Sequence, residues 1–86
     1  MRYMTDEEIP AFVADVVATG CDICAVGFNH YCVSDVDLPL DEYDAVASEL
    51  RRIIEAYGHR DHLKPQITAY LRSIGRYVDL VGRRSR

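Results

Sequence analysis

Apolar residues recur at spacings of three and four along three stretches of the chain, 5–20, 41–58 and 65–82. This spacing places them on one face of a helix, so each stretch predicts an amphipathic α-helix. The first stretch opens with a Thr5-x-x-Glu8 capping box, and each stretch ends at a glycine, a common terminator of helices. The apolar stripes are Ile9, Phe12, Val13, Val16 and Val17; Tyr43, Val46, Leu50, Ile53, Ile54 and Tyr57; and Ile67, Tyr70, Leu71, Ile74, Tyr77, Val78 and Val81.

The segment between the first two helices has the composition of a β-hairpin. Its runs 21–28 and 31–36 are short and rich in β-favouring residues, and Asn29-His30 between them predicts the turn. A hairpin exposes an unpaired backbone edge on each side, and no lysine or proline protects these edges. The pattern therefore predicts that an edge pairs with a second copy or with another protein. The alternative is that helices or residues 2–4 cover the edge.

The predicted order of elements is α-β-β-α-α, a single small α+β domain over 1–86 with the β-hairpin packed against three helices. A hairpin is marginal alone and needs helices against it. Gly75 falls inside the third predicted helix, where it would allow close approach of another element. The basic residues 83–86 are predicted to form a disordered tail. The predicted core consists of Phe12, Val13, Val16, Val17, Ile23, Val26, Val33, Val46, Leu50, Ile53, Ile54, Ile67, Tyr70, Leu71, Ile74 and Val78.

Composition favours a folded cytoplasmic protein. The chain is 49% hydrophobic and 28% charged, the balance of a globular domain. Its three cysteines cannot all pair within one chain, which favours reduced thiols in a cytoplasm. The acidic start of the chain does not resemble a signal peptide, and no apolar stretch is long enough to span a membrane.

Charge is divided unevenly between the two parts of the chain. Residues 1–50 carry one basic and eleven acidic residues, whereas residues 51–86 carry nine basic and three acidic residues. The acids are densest between the hairpin and the second helix, where they predict a surface that docks into a basic groove of a partner. The predicted partner-binding residues are Asp35, Asp37, Asp41, Glu42 and Asp44. The alternative is that these acids only cap helices and solvate the surface.

The basic end of the chain supports a second hypothesis, binding of nucleic acid. Clustered arginines neutralise phosphates, and such a cluster is predicted along and beyond the last helix. The candidate residues are Arg72, Arg76, Arg83 and Arg84. The overall acidity, with a sequence pI near 5.2, argues against this function.

A third hypothesis concerns a zinc- or thiol-dependent site at Cys21, Cys24, His30 and Cys32, which fall within twelve residues. Zinc prefers four such ligands in a tetrahedron. In a strand, however, Cys21 and Cys24 would point to opposite faces, and their spacing matches no common zinc motif. Buried free thiols are the alternative.

The sequence contains no glycine-rich phosphate loop, nucleophile elbow or paired-carboxylate motif. The polar segment 59–64, which holds two histidines, is predicted to be a helix–helix connection. We therefore expect a non-catalytic protein-binding module without a cofactor. It would be a small regulator or inhibitor that forms a homodimer or docks through its acidic surface or hairpin edge.

Overall fold

A computed structural model describes residues 2–27, 29–34 and 39–78, and this part of the chain forms three α-helices and three β-strands. The elements are α1 (Ile9–Ala18), β1 (Asp22–Val26), β2 (Tyr31–Ser34), α2 (Tyr43–Tyr57), α3 (Lys64–Ser73) and β3 (Tyr77–Val78). A 3-10 turn of three residues precedes each helix. The predicted α+β class and the order of helix, hairpin and helices are confirmed, and β3 is added after the last helix.

The capping box of the first helix forms as the sequence predicts, but the regular helix α1 begins only at Ile9. The Glu8 carboxylate accepts a hydrogen bond of 3.0 Å from the backbone N–H of Thr5, as expected for a capping box. Pro10 occupies one of the first two helical positions, where no intrahelical N–H donor is needed. The regular helix therefore starts after the capping turn and not within it.

β1 is the central strand of a mixed sheet with the order β2-β1-β3. β2 runs antiparallel to it, with Ile23 opposite Val33. β3 runs parallel to it, and the N–H of Ala25 donates a hydrogen bond of 2.9 Å to the carbonyl of Arg76. The predicted hairpin is therefore confirmed as part of a larger sheet.

The hairpin turn lies earlier than the predicted Asn29-His30 position. The carbonyl of His30 accepts a hydrogen bond of 2.8 Å from the N–H of Val26, so His30 already belongs to the ladder. Gly27, which follows Val26, has a φ of 74°, a conformation that glycine adopts without a steric penalty. The turn therefore begins directly after Val26 and not at Asn29.

The third helix ends at Ser73, and the prediction that it continues to the last glycine is wrong. Gly75 has a φ of 84°, which ends the helix. Its N–H donates to the carbonyl of Arg72 at 3.1 Å, and the N–H of Arg76 donates to the carbonyl of Leu71 at 2.8 Å. This pair of bonds is a Schellman motif, so Gly75 terminates α3 and does not lie within it. The chain then turns to place β3 beside β1.

β3 also corrects the prediction that both hairpin edges are open. The outer edge of β1 is paired with β3. Among the described residues, no strand pairs with the outer edge of β2. Within the described part of the chain, the hairpin therefore keeps one open edge, that of β2.

The core lies between one face of the sheet and the helices α1 and α3. Burial alternates along β1, where Ile23 and Ala25 face the core. The buried apolar residues are Met4, Ile9, Phe12, Val13, Val16, Cys21, Ile23, Ala25, Leu63, Ile67 and Leu71. Two predicted core residues are surface residues: Ile74 is 45% exposed and Val78 is 39% exposed. Ile74 follows the end of α3, and Val78 lies on the face of β3 that points away from the core.

The N-terminal segment is tied to the connection between α2 and α3. Met4 is buried, and Tyr3 forms an isolated parallel bridge with His59. The N–H of Met4 donates to the carbonyl of His59 at 2.9 Å, and the N–H of His59 donates to the carbonyl of Arg2 at the same distance. This segment therefore contributes to the core, which the sequence pattern does not indicate.

Five predictions fall wholly or partly outside the described residues: the disordered tail at 83–86, the end of the second predicted strand at 35–36, the stripe residue Val81, the acidic residues Asp35 and Asp37, and the arginines Arg83 and Arg84. None of the helices in the described ranges is long and apolar enough to cross a membrane.

Candidate partner-binding surface

α2 is attached to the rest of the fold along one side only. Although its sequence carries a strong apolar stripe, none of its residues is buried. Its main contact is with α1, where the rings of Phe12 and Tyr57 meet edge-on with centroids 5.4 Å apart. A helix normally buries such a stripe more completely, so the part of the α2 stripe that remains accessible is a candidate docking face.

An open groove of about 260 Å³ runs along this side of α2. Its wall on the sheet side is Cys21, just before β1. α2 contributes Tyr43, Ala47, Leu50 and Ile54, which are spaced at three, four and seven residues. Tyr43 is 41% exposed, Ala47 is exposed, and Leu50 and Ile54 are half-buried. We call the four α2 residues and this groove the α2 face.

Charged side chains flank the α2 face at both ends. Asp41, Glu42 and Asp44 are exposed at the N-terminal end of α2, where the helix dipole stabilises negative charge. Arg51 is exposed and lines the groove further along the helix. Asp44 and Arg51 are separated by nearly two helical turns, so they lie on the same flank. The structure therefore places three of the five predicted acidic residues beside an apolar surface.

The C-terminal end of α2 is closed by arginines. Arg2 Nη1 donates to the carbonyl of Tyr57 at 2.6 Å, and Arg60 Nη1 donates to the carbonyl of Ile54 at 3.1 Å. Cations at this end are favoured by the helix dipole, and Arg60 adds a second donor to the Ile54 carbonyl, which also accepts a hydrogen bond of 3.0 Å from the N–H of Gly58. These arginines therefore hold α2 in place.

Two histidines predicted to lie in a polar connection contact the ring of Tyr3. Its centroid lies 5.2 Å from that of His59 and 5.5 Å from that of His62. His62 Nε2 is also hydrogen-bonded to the carbonyl of Met4 at 3.0 Å. These contacts anchor the N-terminal segment, which gives the histidines a structural role.

The structure does not bring the predicted zinc ligands together. Cys21 is buried in the core, whereas Cys24 is half-buried on the opposite face of the sheet, across from exposed Cys32. His30 is exposed and lies just before the start of β2. In the described part of the chain, no group of three or more histidine, cysteine, aspartate or glutamate residues is arranged to hold a metal ion. Strand alternation separates Cys21 from Cys24.

Residues 7–79, which include all three helices and all three strands, match the sequence profile of the Y4lK family. The chain belongs to the Y4lK family. It is 54% identical over 79 residues to a protein of Sinorhizobium fredii (strain NBRC 101917 / NGR234) named "Uncharacterized protein y4lK". The alignment covers 92% of this chain and 60% of that relative, so the chain spans about 60% of the relative's length. No solved structure matches the chain significantly.

The Y4lK match includes the two described arginines that were predicted to bind nucleic acid, and both make contacts within the fold. The guanidinium of Arg72 lies 4.9 Å from the ring centroid of Tyr77, and its Nη1 donates to the carbonyl of Gly27 at 3.2 Å. Arg76 forms an ion pair of 2.7 Å with Asp22. Arg76 lies beyond the end of α3, so it is not on the helix that carries Arg72.

Sequence reasoning assigned the stripe of α2 to the core, and four of its residues do pack against the core while staying half-buried: Val46, Leu50, Ile53 and Ile54. It did not predict the open groove that remains beside them in this Y4lK chain. One signal was present: the second predicted helix has more charged residues than the first, including Arg51 and Arg52 next to Leu50. Such a helix more often lies at the margin of a fold than inside it. The pairing of Cys24 with Cys32 was missed because it depends on the position of the hairpin turn.

Proposed function

We propose that this chain is a non-catalytic protein-binding module that associates with a second copy of itself through the α2 face. The observation that carries the proposal is that α2 has an apolar stripe and no buried residue. Pairing two such faces would remove Tyr43, Leu50 and Ile54 from water, at roughly 25 cal/mol for each Å² of apolar area buried. The three free cysteines suit a reducing compartment, and we propose the cytoplasm.

Charge complementarity favours a second copy as the occupant. In a two-fold symmetric pair of antiparallel helices, the same flank of each helix meets its counterpart. Asp44 and Arg51 share one flank, on either side of the small residues Ala47 and Ser48. A two-fold axis near these small residues would place Asp44 of each copy opposite Arg51 of the other. Two ion pairs would then frame an apolar centre with room for close helix contact.

The expected dimer is weak. An interface built from one helix of each copy is below the roughly 1,200 Å² that stable complexes bury, so we expect a dissociation constant in the micromolar range or above. Exposed ion pairs of this kind contribute about 0.2–1 kcal/mol each and are screened by salt. Association should therefore depend on protein concentration and decrease at high ionic strength.

A matched pair of alanine substitutions tests the surface. Ala47→Arg places a long charged side chain in the α2 face, whereas Ala45→Arg places the same side chain on another side of α2. Both alanines are exposed, so neither change should unfold the protein. Sedimentation equilibrium should show a dimer for the wild type and for Ala45→Arg, and a monomer for Ala47→Arg. A dimer that persists in Ala47→Arg would contradict the proposal and point to the open edge of β2.

Charge reversal tests whether the partner is a second copy. Asp44→Arg and Arg51→Glu should each weaken the dimer, because each places like charges opposite one another. The double variant Asp44→Arg/Arg51→Glu should restore it, because both ion pairs re-form with reversed sign. Glu7→Arg, an exposed reversal near the start of α1, serves as the control. A wild type that stays monomeric at millimolar concentration, or a double variant weaker than both single variants, would overturn self-association.

A further inference from the structure

Cys24 and Cys32 lie directly opposite each other on the two antiparallel strands of the hairpin. Residues opposite each other in such a pair point to the same face of the sheet. This face is the one that turns away from the core, because Ile23 and Ala25 on either side of Cys24 are buried. Two free thiols therefore share one side of the hairpin, with Cys32 exposed and Cys24 half-buried.

The hydrogen-bond pattern defines the spacing of this pair. Val26 donates to His30, and hydrogen-bonded pairs alternate along an antiparallel ladder, so Cys24 and Cys32 form the next hydrogen-bonded pair. The N–H of Ala25 points the other way, to β3, as this alternation requires. The Cα atoms of a hydrogen-bonded pair are about 5.5 Å apart, within the range of roughly 4.4–6.8 Å that a disulfide spans.

We infer that Cys24 and Cys32 form a thiol–disulfide site, which is oxidised by a small-molecule disulfide such as oxidised glutathione. The thiolate of exposed Cys32 attacks one sulfur of the small disulfide, forms a mixed disulfide and releases one small thiolate. The thiolate of Cys24 then attacks the Cys32 sulfur, forms the Cys24–Cys32 bond and releases the second small thiolate. Two electrons pass from the protein to the small disulfide, and the two thiol protons pass to the released thiolates.

The surroundings of Cys24 indicate that its thiol reacts in the second step, the attack on the mixed disulfide. Its Sγ donates a hydrogen bond of 3.3 Å to Asp22 Oδ2, and Asp22 is held by Arg76. Burial and then this hydrogen bond raise the pKa of Cys24 to about 11. Little thiolate is present at Cys24 near neutral pH, so attack by exposed Cys32 comes first. Formation of the mixed disulfide brings a reactive sulfur directly opposite Cys24, which compensates for the small thiolate fraction.

The Cys24–Cys32 disulfide is expected to be easily reduced. Residues opposite each other in a sheet have Cβ atoms about 4.5–5.5 Å apart, whereas a relaxed disulfide has about 3.8 Å. The strands must therefore move slightly together at this position, and strained, exposed disulfides are the readily reduced ones. A small thiol such as reduced glutathione should restore both protein thiols.

Mass spectrometry of the whole chain tests the site. Reduced protein is incubated with oxidised glutathione, quenched with acid and weighed intact. The wild type should lose the mass of two hydrogen atoms, and reduced glutathione should reverse the loss. No lysine or arginine separates the cysteines, so chymotrypsin, which cleaves after Phe28 and Tyr31, is used to separate Cys32 from the peptide that holds Cys21 and Cys24. Fragmentation of the linked peptides by tandem mass spectrometry then shows which of these two cysteines carries the bond. A link to Cys21, or a link that excess reduced glutathione cannot reverse, would overturn the inference.

Two serine variants separate the steps. Cys24→Ser should stop at the mixed disulfide on Cys32, and Cys32→Ser should show at least a tenfold slower reaction with oxidised glutathione. Both side chains lie outside the core, so the variants keep the fold. A wild type that accumulates the mixed disulfide to the same extent as Cys24→Ser would show that Cys24 does not complete the reaction, and the inference would fail. The outcome is independent of the α2 face, which lies on another element.

Discussion

The hydroxyl group of Tyr57 donates a hydrogen bond of 2.7 Å to the carboxylate of Asp15 and thereby joins the end of α2 to α1. The same ring packs against Phe12, so Tyr57 combines polar and apolar contacts. The hydrogen bond and partial burial raise the pKa of Tyr57 to about 12. Tyr57 is thus one attachment of α2, beside Val46, Leu50, Ile53 and Ile54, which pack against the core.

Removal of this hydroxyl group should weaken the attachment of α2. Tyr57→Phe keeps the ring contact, so we expect a loss of at most about 1 kcal/mol in the free energy of unfolding near neutral pH. Because the folded pKa lies above the ordinary value of 10, the bond stabilises the protein below pH 10, and its contribution is lost as the pH rises through about 12. Urea unfolding should therefore distinguish wild type from Tyr57→Phe at neutral pH and not above pH 12. If the wild type became more stable relative to Tyr57→Phe as the pH rose above 10, the stabilising role of the Tyr57–Asp15 hydrogen bond would be contradicted.

Gly58 should tolerate no side chain. It has a φ of 85° and a ψ of −160°, a region populated almost only by glycine, and an added Cβ would overlap Arg2, with its carbonyl carbon at 2.7 Å. Gly58→Ala should lower the free energy of unfolding by more than about 2 kcal/mol. Gly75→Ala is the matched control: its φ of 84° is similar but nothing lies within 4 Å of the added Cβ, so about 1 kcal/mol is expected. Equal losses in the two variants would show that the overlap at Gly58 is relieved by a shift of the N-terminal segment.

Leu71 and Ile74 belong to the same apolar stripe in the sequence but should respond differently to truncation. Leu71 has no exposed surface, and Leu71→Ala should cost about 2–5 kcal/mol. Ile74 is 45% exposed, and Ile74→Ala should cost less than about 1 kcal/mol. Thermal unfolding of the two variants measures this contrast. A large loss for Ile74→Ala would mean that the helix continues past Gly75.

The reactivity of Cys24 should depend on the charges beside it. Burial raises the pKa of Cys24 most, Asp22 and then Cys32 raise it further, and Arg76 lowers it. Asp22→Asn should therefore accelerate alkylation of Cys24 at a given pH, and Arg76→Gln should slow it. Iodoacetamide labelling followed over a range of pH by mass spectrometry measures both rates, with Asp15→Asn as a control on another element. An unchanged rate in Asp22→Asn would show that burial alone controls this thiol.

Local signals account for most of what the sequence predicted correctly. The Thr5–Glu8 capping box acts within one turn, and the alternation around Ile23 needs only the geometry of a strand. The candidate partner-binding surface on α2 was predicted less well. The acids at the start of α2 were recognised, but not the apolar groove beside them, because an apolar stripe has the same pattern whether a neighbour covers it or not.

The sequence by itself determined three amphipathic helices, a hairpin and their order, because helix and strand periodicity and capping are properties of neighbouring residues. The tertiary structure alone decided that Tyr77–Val78 leave the helix to pair with β1, that Cys24 faces Cys32, and that α2 keeps one side open. Each of these depends on contacts between residues distant in the chain. A backbone edge or an apolar face can be satisfied by any suitable neighbour, and only the packed fold specifies which neighbour is present.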